Sequence, residues 1–270
     1  MDRGAEESLS ELAWRTLEEG EPARALDVLR RAERTGGAPP EAGVIAALAH
    51  LELGAFDEVD RDLGRARREL PPEDPDLLYA EAEWALCNWR LEDAEAHYRR
   101  LFEGDPEFAR AAERLALVCD LLDRPEEADR WQRLASELEP DHVPPPHHLS
   151  TADFEAVVAE AAGELPPEFQ RALERFPVLI DAVPRRDLAA PAPWDTPGDV
   201  LGLFVGFSDL DRSVEGGGGP PAAIYLFQRN LERATFDGDE LAEEIRVTLY
   251  HELGHALGFD EHGVDEMGLG

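Results

Sequence analysis

The chain has 270 residues, of which 60 are Asp or Glu and 26 are basic, so its formal net charge is −34. This surplus of carboxylates, which is spread over the whole chain, would repel phosphate groups and excludes nucleic acid as a partner. No apolar run approaches the roughly 20 residues of a membrane span, and the acidic N-terminus is unlike a signal peptide. We therefore expect a cytoplasmic protein of about two domains that binds no membrane.

The N-terminal half, residues 6–142, repeats with a period close to 34. Segments that predict turns begin at Gly20, Gly54, Trp89 and Asp123, at spacings of 34, 35 and 34 residues. Apolar residues at helical spacing flank each turn, which is typical of a helical hairpin. Four such hairpins cannot bury their apolar faces alone, so they are expected to stack into a solenoid.

This pattern resembles the tetratricopeptide repeat. The matching positions are turn glycines, small residues in the helices and prolines after the hairpins: Gly20, Gly54, Ala25, Ala94, Ala128, Ala32, Ala66, Ala135, Pro71, Pro106 and Pro140. Val59 replaces the small residue in the second repeat, while Trp89 and Asp123 stand where glycine is usual. The resemblance implies an all-α domain whose concave face binds a peptide, a protein substrate or a partner protein.

Two arginines of the fourth repeat, Arg110 and Arg114, could supply positive charge to a bound ligand. Isolated surface charges contribute little, so solvated helix arginines are the simpler interpretation. The two cysteines, Cys87 and Cys119, lie in helical patterns and predict small buried side chains rather than a disulfide.

A proline-rich segment, residues 143–149, predicts a linker to a second domain at residues 150–270. We interpret His147 and His148 in this segment as incidental. Beyond it, a helix is expected to begin at Ser150 or Thr151. The runs FPVLIDAV, VLGLFVGF and AAIYLFQ predict three short strands, so the second domain is of the α+β class.

The last helix is predicted to begin at an Asp237 cap, with Glu240 completing a box-like pair, and to end at Gly258. Leu241, Ile245 and Leu249 give it a buried stripe. It carries the sequence HELGHALGFDEH, residues 251–262, which is the most informative segment of the chain.

The spacing within this segment predicts a metal site. His251 and His255 are four residues apart, so both imidazoles leave the same face of a helix and can bind one tetrahedral zinc. Glu252 can reach a zinc-bound water without being a ligand itself. A third ligand ten residues after the first histidine would be Glu261. The neighbouring Asp260 and His262, and the more distant Glu266, remain alternatives.

Residues 150–270 resemble the minimal zincin metallopeptidase family. The segments that carry the resemblance are FEAVVAEAAGELPPEFQRAL, VLGLFVG, AAIYLFQRNL, LAEEIRVTLYHELGHALGF and DEMGLG. The resemblance implies a zinc-protease core in which Zn²⁺ is held by His251, His255 and a third ligand, with Glu252 as the general base.

Two functional hypotheses follow for this multidomain chain, in which a helical-hairpin solenoid precedes a zincin-like domain. In the first, the protein is a zinc-dependent metallopeptidase, and its repeats recruit the substrate or a partner. In the second, the repeats form a non-catalytic adaptor, and the zincin-like domain is degenerate or structural.

Overall fold

The computed structural model of the protein describes residues 8–189, 197–206 and 222–259. The chain divides into two compact units, Met1–Val118 and Cys119–Gly270. The division falls within the seventh helix. The eighth helix and the predicted linker at residues 143–149 therefore both lie in the second unit.

The first unit is built from antiparallel helical hairpins. Its helices are α1 (Leu9–Glu18), α2 (Pro22–Arg34), α3 (Ala42–Glu52), α4 (Phe56–Glu69), α5 (Pro75–Cys87), α6 (Leu91–Gly104) and α7 (Ala109–Leu121), which continues into the second unit. Helix α8 (Pro125–Leu138) follows α7. These hairpins are consistent with a helical repeat array, as the 34-residue period predicts.

One turn geometry recurs at the four predicted turn positions. Gly20, Gly54, Trp89 and Asp123 all have positive φ, at 71°, 66°, 56° and 58°. At each turn the next residue donates a hydrogen bond to the carbonyl five residues back, as from Glu21 to Thr16. This is the Schellman ending of a helix. Trp89 and Asp123 therefore adopt the backbone conformation that glycine adopts in the first two repeats.

Small residues allow the helices of the first unit to approach closely. Ala25, Ala32 and Ala66 are fully buried. Gly43 of α3 lies against α4, where an added Cβ would be 2.7 Å from the Ala66 nitrogen and 2.8 Å from the Asp62 carbonyl oxygen. Since both are backbone atoms, glycine is required at this crossing.

Arg114 is a structural residue and not the solvated arginine that the sequence suggested. Its Nε donates to Glu83 Oε1 at 3.0 Å, and the Tyr98 hydroxyl donates to the same oxygen at 2.7 Å. Glu83 is buried and Tyr98 is completely buried. Burial raises the pKa of Tyr98 well above its usual value. Arg110, by contrast, is exposed.

The second unit adds a small mixed sheet to further helices. After α8 come α9 (Thr151–Glu164), α10 (Pro167–Leu173), β1 (Val178–Asp181), α11 (Arg186–Ala189), β2 (Gly202–Val205), β3 (Ala223–Phe227), α12 (Gln228–Arg233) and α13 (Gly238–Leu257). The three predicted strands and the helix capped by Ser150 are confirmed. The short helix α12, which begins directly after β3, was not predicted.

The strands lie in the order β1-β3-β2. β1 is parallel to β3, with Val178 opposite Ile224, and β2 is antiparallel to β3, with Phe204 opposite Ile224. Side chains from one face of this sheet pack with α9, α10 and α13 in one core. Its fully buried members include Phe154, Phe176, Ile224, Leu226, Ile245 and Leu249. Within the described residues, no helix is both long and apolar enough to cross a bilayer.

Candidate metal centre

The site helix α13 is held at both ends by local sequence. Asp237 caps its start by accepting hydrogen bonds from the Asp239 and Glu240 amides, and Glu240 accepts one in return from the Phe236 amide. At the other end, Gly258 has φ +98°. These caps confirm the predicted bounds of the helix.

The two histidines of this helix converge on one point. His251 Nε2 and His255 Nε2 are 3.0 Å apart, close to the roughly 3.3 Å expected for two nitrogens bound to one tetrahedral zinc. His255 Nδ1 lies 3.2 Å from the Phe259 carbonyl oxygen. A carbonyl at that nitrogen favours the tautomer with a proton on Nδ1, which leaves Nε2 as the metal donor. The donor set therefore fits zinc.

Glu252 is held by the edge strand β2. Its Oε2 accepts a hydrogen bond of 2.6 Å from the backbone amide of Phe204, and the residue is only 8% exposed. In an antiparallel ladder, successive residues direct their backbone N–H and C=O groups alternately toward and away from the partner strand. The backbone groups of Leu203, opposite Tyr225, face β3, so the amide of Phe204 faces outward. The carboxylate of Glu252, the residue that follows His251, therefore has a defined orientation.

Gly202 allows this contact. An added Cβ there would lie 2.5 Å from Thr248 Cγ2 and 3.1 Å from Glu252 Cγ, both on α13. The absence of a side chain brings β2 against the helix, so that the Phe204 amide, two residues further along, reaches the carboxylate. Neither Gly202 nor Phe204 was predicted as a site residue, because a backbone donor leaves no mark in a sequence. Only Gly202, a glycine within a predicted strand, indicated that the backbone of this strand approaches a neighbouring element closely.

The candidates for a third ligand lie outside the described part of the chain, since Glu261 and its alternatives Asp260, His262 and Glu266 all follow residue 259. Among the described residues, no third imidazole, thiol or carboxylate forms a metal-binding group with the two histidines. Tyr250, which precedes the motif, packs edge-on against Phe169 with ring centroids 4.1 Å apart. Its ring belongs to the core.

A helix carrying H-E-x-x-H beside a short sheet, with both imidazoles on one face, is the arrangement of a zinc metallopeptidase. Residues 173–269 match the family model of the zincin-like metallopeptidases, so this segment is similar to that family. The family implies zinc as its cofactor. No tetratricopeptide family model matches the N-terminal helices, and no curated protein matches the chain.

Proposed function

We propose that the second unit is a zinc-dependent peptidase in which His251, His255 and Glu261 hold the metal. The observation that carries this proposal is the 3.0 Å approach of the two Nε2 atoms, with Glu252 next to them in sequence and oriented by a backbone amide. When bound, zinc supplies a water with a pKa near 7 and polarises the scissile carbonyl.

The proton transfers fall to Glu252. Its carboxylate accepts a proton from the attacking water and returns it to the leaving amine, so one residue serves as base and then as acid. The Phe204 amide donates a hydrogen bond to Oε2 and so fixes the plane of the carboxylate. Burial keeps bulk water from competing for it. An extended substrate would lie along the outer edge of β2, which is an edge strand of the described sheet.

Metal content tests the first step. We expect about one zinc per chain in protein purified without a metal-affinity tag. The double substitution His251→Ala/His255→Ala should remove it, whereas His147→Ala, outside the site, should not. Absence of zinc in the wild type, even after incubation with excess metal, would refute the proposal.

Glu252→Gln tests the catalytic step. The amide oxygen of glutamine can still accept from Phe204, so the fold and the zinc content should be retained. Hydrolysis of a peptide library should fall by about 100-fold or more, the usual contribution of a general base. Hydrolysis unchanged from the wild type would exclude Glu252 from the reaction.

We also propose that the first unit recruits a peptide or protein. Its support is the series of hairpins and a cavity of about 320 Å³ whose lining includes Leu26, Arg30, His50, Arg61 and Arg65. In this mixed lining, His50 Nδ1 lies 2.7 Å from a carboxylate oxygen of Asp62. A purely adaptor role is the alternative. It predicts that Glu252→Gln leaves every captured partner unchanged while no hydrolysis is found in the wild type either.

A further inference from the structure

A cluster of charged side chains lies in the second unit, away from the histidine site. It joins the end of α7, helix α8, the proline-rich segment and α12. Its members are Asp120, Asp129, His148, Arg229, Glu232 and Arg233. The Glu232 side chain is 1% exposed and that of His148 is 35% exposed. The cluster therefore combines a buried carboxylate with an imidazole that can exchange protons with solvent.

Both ring nitrogens of His148 face carboxylates. Nδ1 lies 2.7 Å from Glu232 Oε2, and Nε2 lies 2.9 Å from Asp129 Oδ1. A neutral imidazole has one N–H, whereas the imidazolium has two. Only the protonated ring can therefore donate to both carboxylates at once, and loss of the proton leaves one of them without this donor.

Charge balance also favours the protonated ring. Arg229 donates to Asp120 at 2.9 Å and to Asp129 at 2.6 Å, and Arg233 pairs with Asp120. The cluster thus contains three carboxylates and two guanidinium groups. With the His148 ring protonated, its positive and negative charges are equal in number. Arg229 Nη1 also lies 2.7 Å from His148 Nε2. The positive charge of this guanidinium disfavours protonation of the imidazole.

The resulting pKa values agree with this geometry. The hydrogen bond to Glu232, followed by the contact with Asp129, raises the pKa of His148 above 6.5, against the opposing effects of burial and Arg229. Burial would raise the pKa of Glu232, but its bonds to His148, Gln228 and the Leu149 amide lower it. The histidine therefore stays protonated to a higher pH than usual, and the carboxylate stays ionised to a lower one.

The cluster holds the proline-rich segment at several points. The Leu149 amide donates to Glu232 Oε1 at 3.0 Å, and Gln228 Nε2 donates to the Leu149 carbonyl at 3.0 Å. Gln132 of α8 donates to the Pro144 carbonyl at 2.8 Å. Leu149 and His148 thus share Glu232 as a partner, so a change at His148 acts directly on the end of this segment.

We propose that residues 143–149 are fastened to α8 and α12 by a proton-dependent clasp, in which the imidazolium of His148 bridges Asp129 and Glu232 and deprotonation releases the segment. Residues 143–149 are the same segment that the sequence predicts to be a linker. Proton release would increase its freedom without any change at the histidines of α13. The clasp does not depend on zinc binding or on hydrolysis.

Titration of the full-length protein tests the clasp. The histidine ring signals are followed by NMR against pH, and the His148 signal is assigned from its loss in His148→Gln. We expect a midpoint above 6.5 for His148 and a downward shift of about 1 pH unit or more in Glu232→Gln. His147, whose Nε2 lies 3.5 Å from the Thr235 hydroxyl, provides the neighbouring control. A His148 midpoint at or below 6.5 would overturn the proposal.

Amide hydrogen exchange of residues 147–149 provides the second measurement. In the wild type, protection should be greatest at about pH 6 and fall as pH rises through the His148 midpoint, after correction for the intrinsic rate. His148→Gln should show low protection at both ends of this range, and His147→Gln should behave as the wild type does. Protection that is independent of pH in the wild type would equally overturn the proposal.

Discussion

The two units of this protein are specified in different ways. In the first, the hairpin turns at Gly20, Gly54 and Trp89 each place a residue with positive φ at the same position, and helices meet through small side chains at a regular period. In the second, the contact that orients Glu252 comes from Phe204, 48 residues earlier in the chain. The structure of the first unit is therefore predicted by local sequence features that repeat along the chain. The candidate site instead depends on the contact between strand β2 and helix α13.

This difference has a practical consequence. A repeat can tolerate a departure such as Val59 or Trp89, because the register is set by several equivalent turns. The site is not repeated in this way, since the backbone amide of Phe204 and the close approach at Gly202 each occur once in the described residues. Substitutions can test the two kinds of contact separately. The largest loss of stability is expected in the first unit, where the carboxylate of Glu83 is buried.

Arg114→Ala should be the most destabilising of these changes. It removes the guanidinium that is paired with the buried carboxylate of Glu83, and breaking a buried pair costs about 3–5 kcal/mol. Urea unfolding measures the loss. The matched control is Arg110→Ala, an exposed arginine of the same helix, for which we expect a change within about 0.5 kcal/mol. Equal losses of stability in the two variants would contradict a structural role for Arg114.

Zinc should stabilise only the second unit. At 100 times its dissociation constant, a ligand that binds the folded state alone adds about 2.7 kcal/mol. Hydrogen exchange with and without a chelator should therefore change in α13 and β2 and remain the same in α1–α6. A uniform change over both units would contradict this prediction.

Gly202→Ala should separate β2 from α13. The new methyl group would meet Thr248 and Glu252, and such overpacking costs about 1–3 kcal/mol. Exchange of the Phe204 amide should accelerate relative to its neighbours. Gly163→Ala provides the control in the same unit, because its Cβ would meet nothing within 4 Å. Retained protection of the Phe204 amide would refute the positioning role of Gly202.

The smallest effects are expected at the repeat turns. Gly54→Ala places a Cβ at φ +66°, at a cost of roughly 1 kcal/mol. Gly64→Ala, within helix α4, should instead stabilise by about 0.5–1 kcal/mol because alanine favours the helix. The midpoint of thermal unfolding should move in opposite directions for the two variants. Movement in the same direction would mean that the turn does not require the left-handed conformation.

The sequence was sufficient where the signals are local. The 34-residue period located all four turns, including those at Trp89 and Asp123, which lack glycine. Short runs of β-branched and aromatic residues, bounded by Pro, Gly and Asp, located the three strands. The caps Asp237 and Gly258 defined the site helix, and the four-residue spacing placed its two histidines on the same face, where their nitrogens can meet.

What the sequence did not decide depends on contacts between distant parts of the chain. Strand order, the role of Gly202 and the Phe204 amide depend on how β2 packs against α13, and a backbone donor has no residue identity to recognise. In the same way, the sequence favours a solvated Arg114 and an incidental His148, whereas folding brings a buried carboxylate to each of them. Local signals thus specified the helices, turns and ligand spacing, and tertiary packing decided which charges are paired and how the candidate base is held.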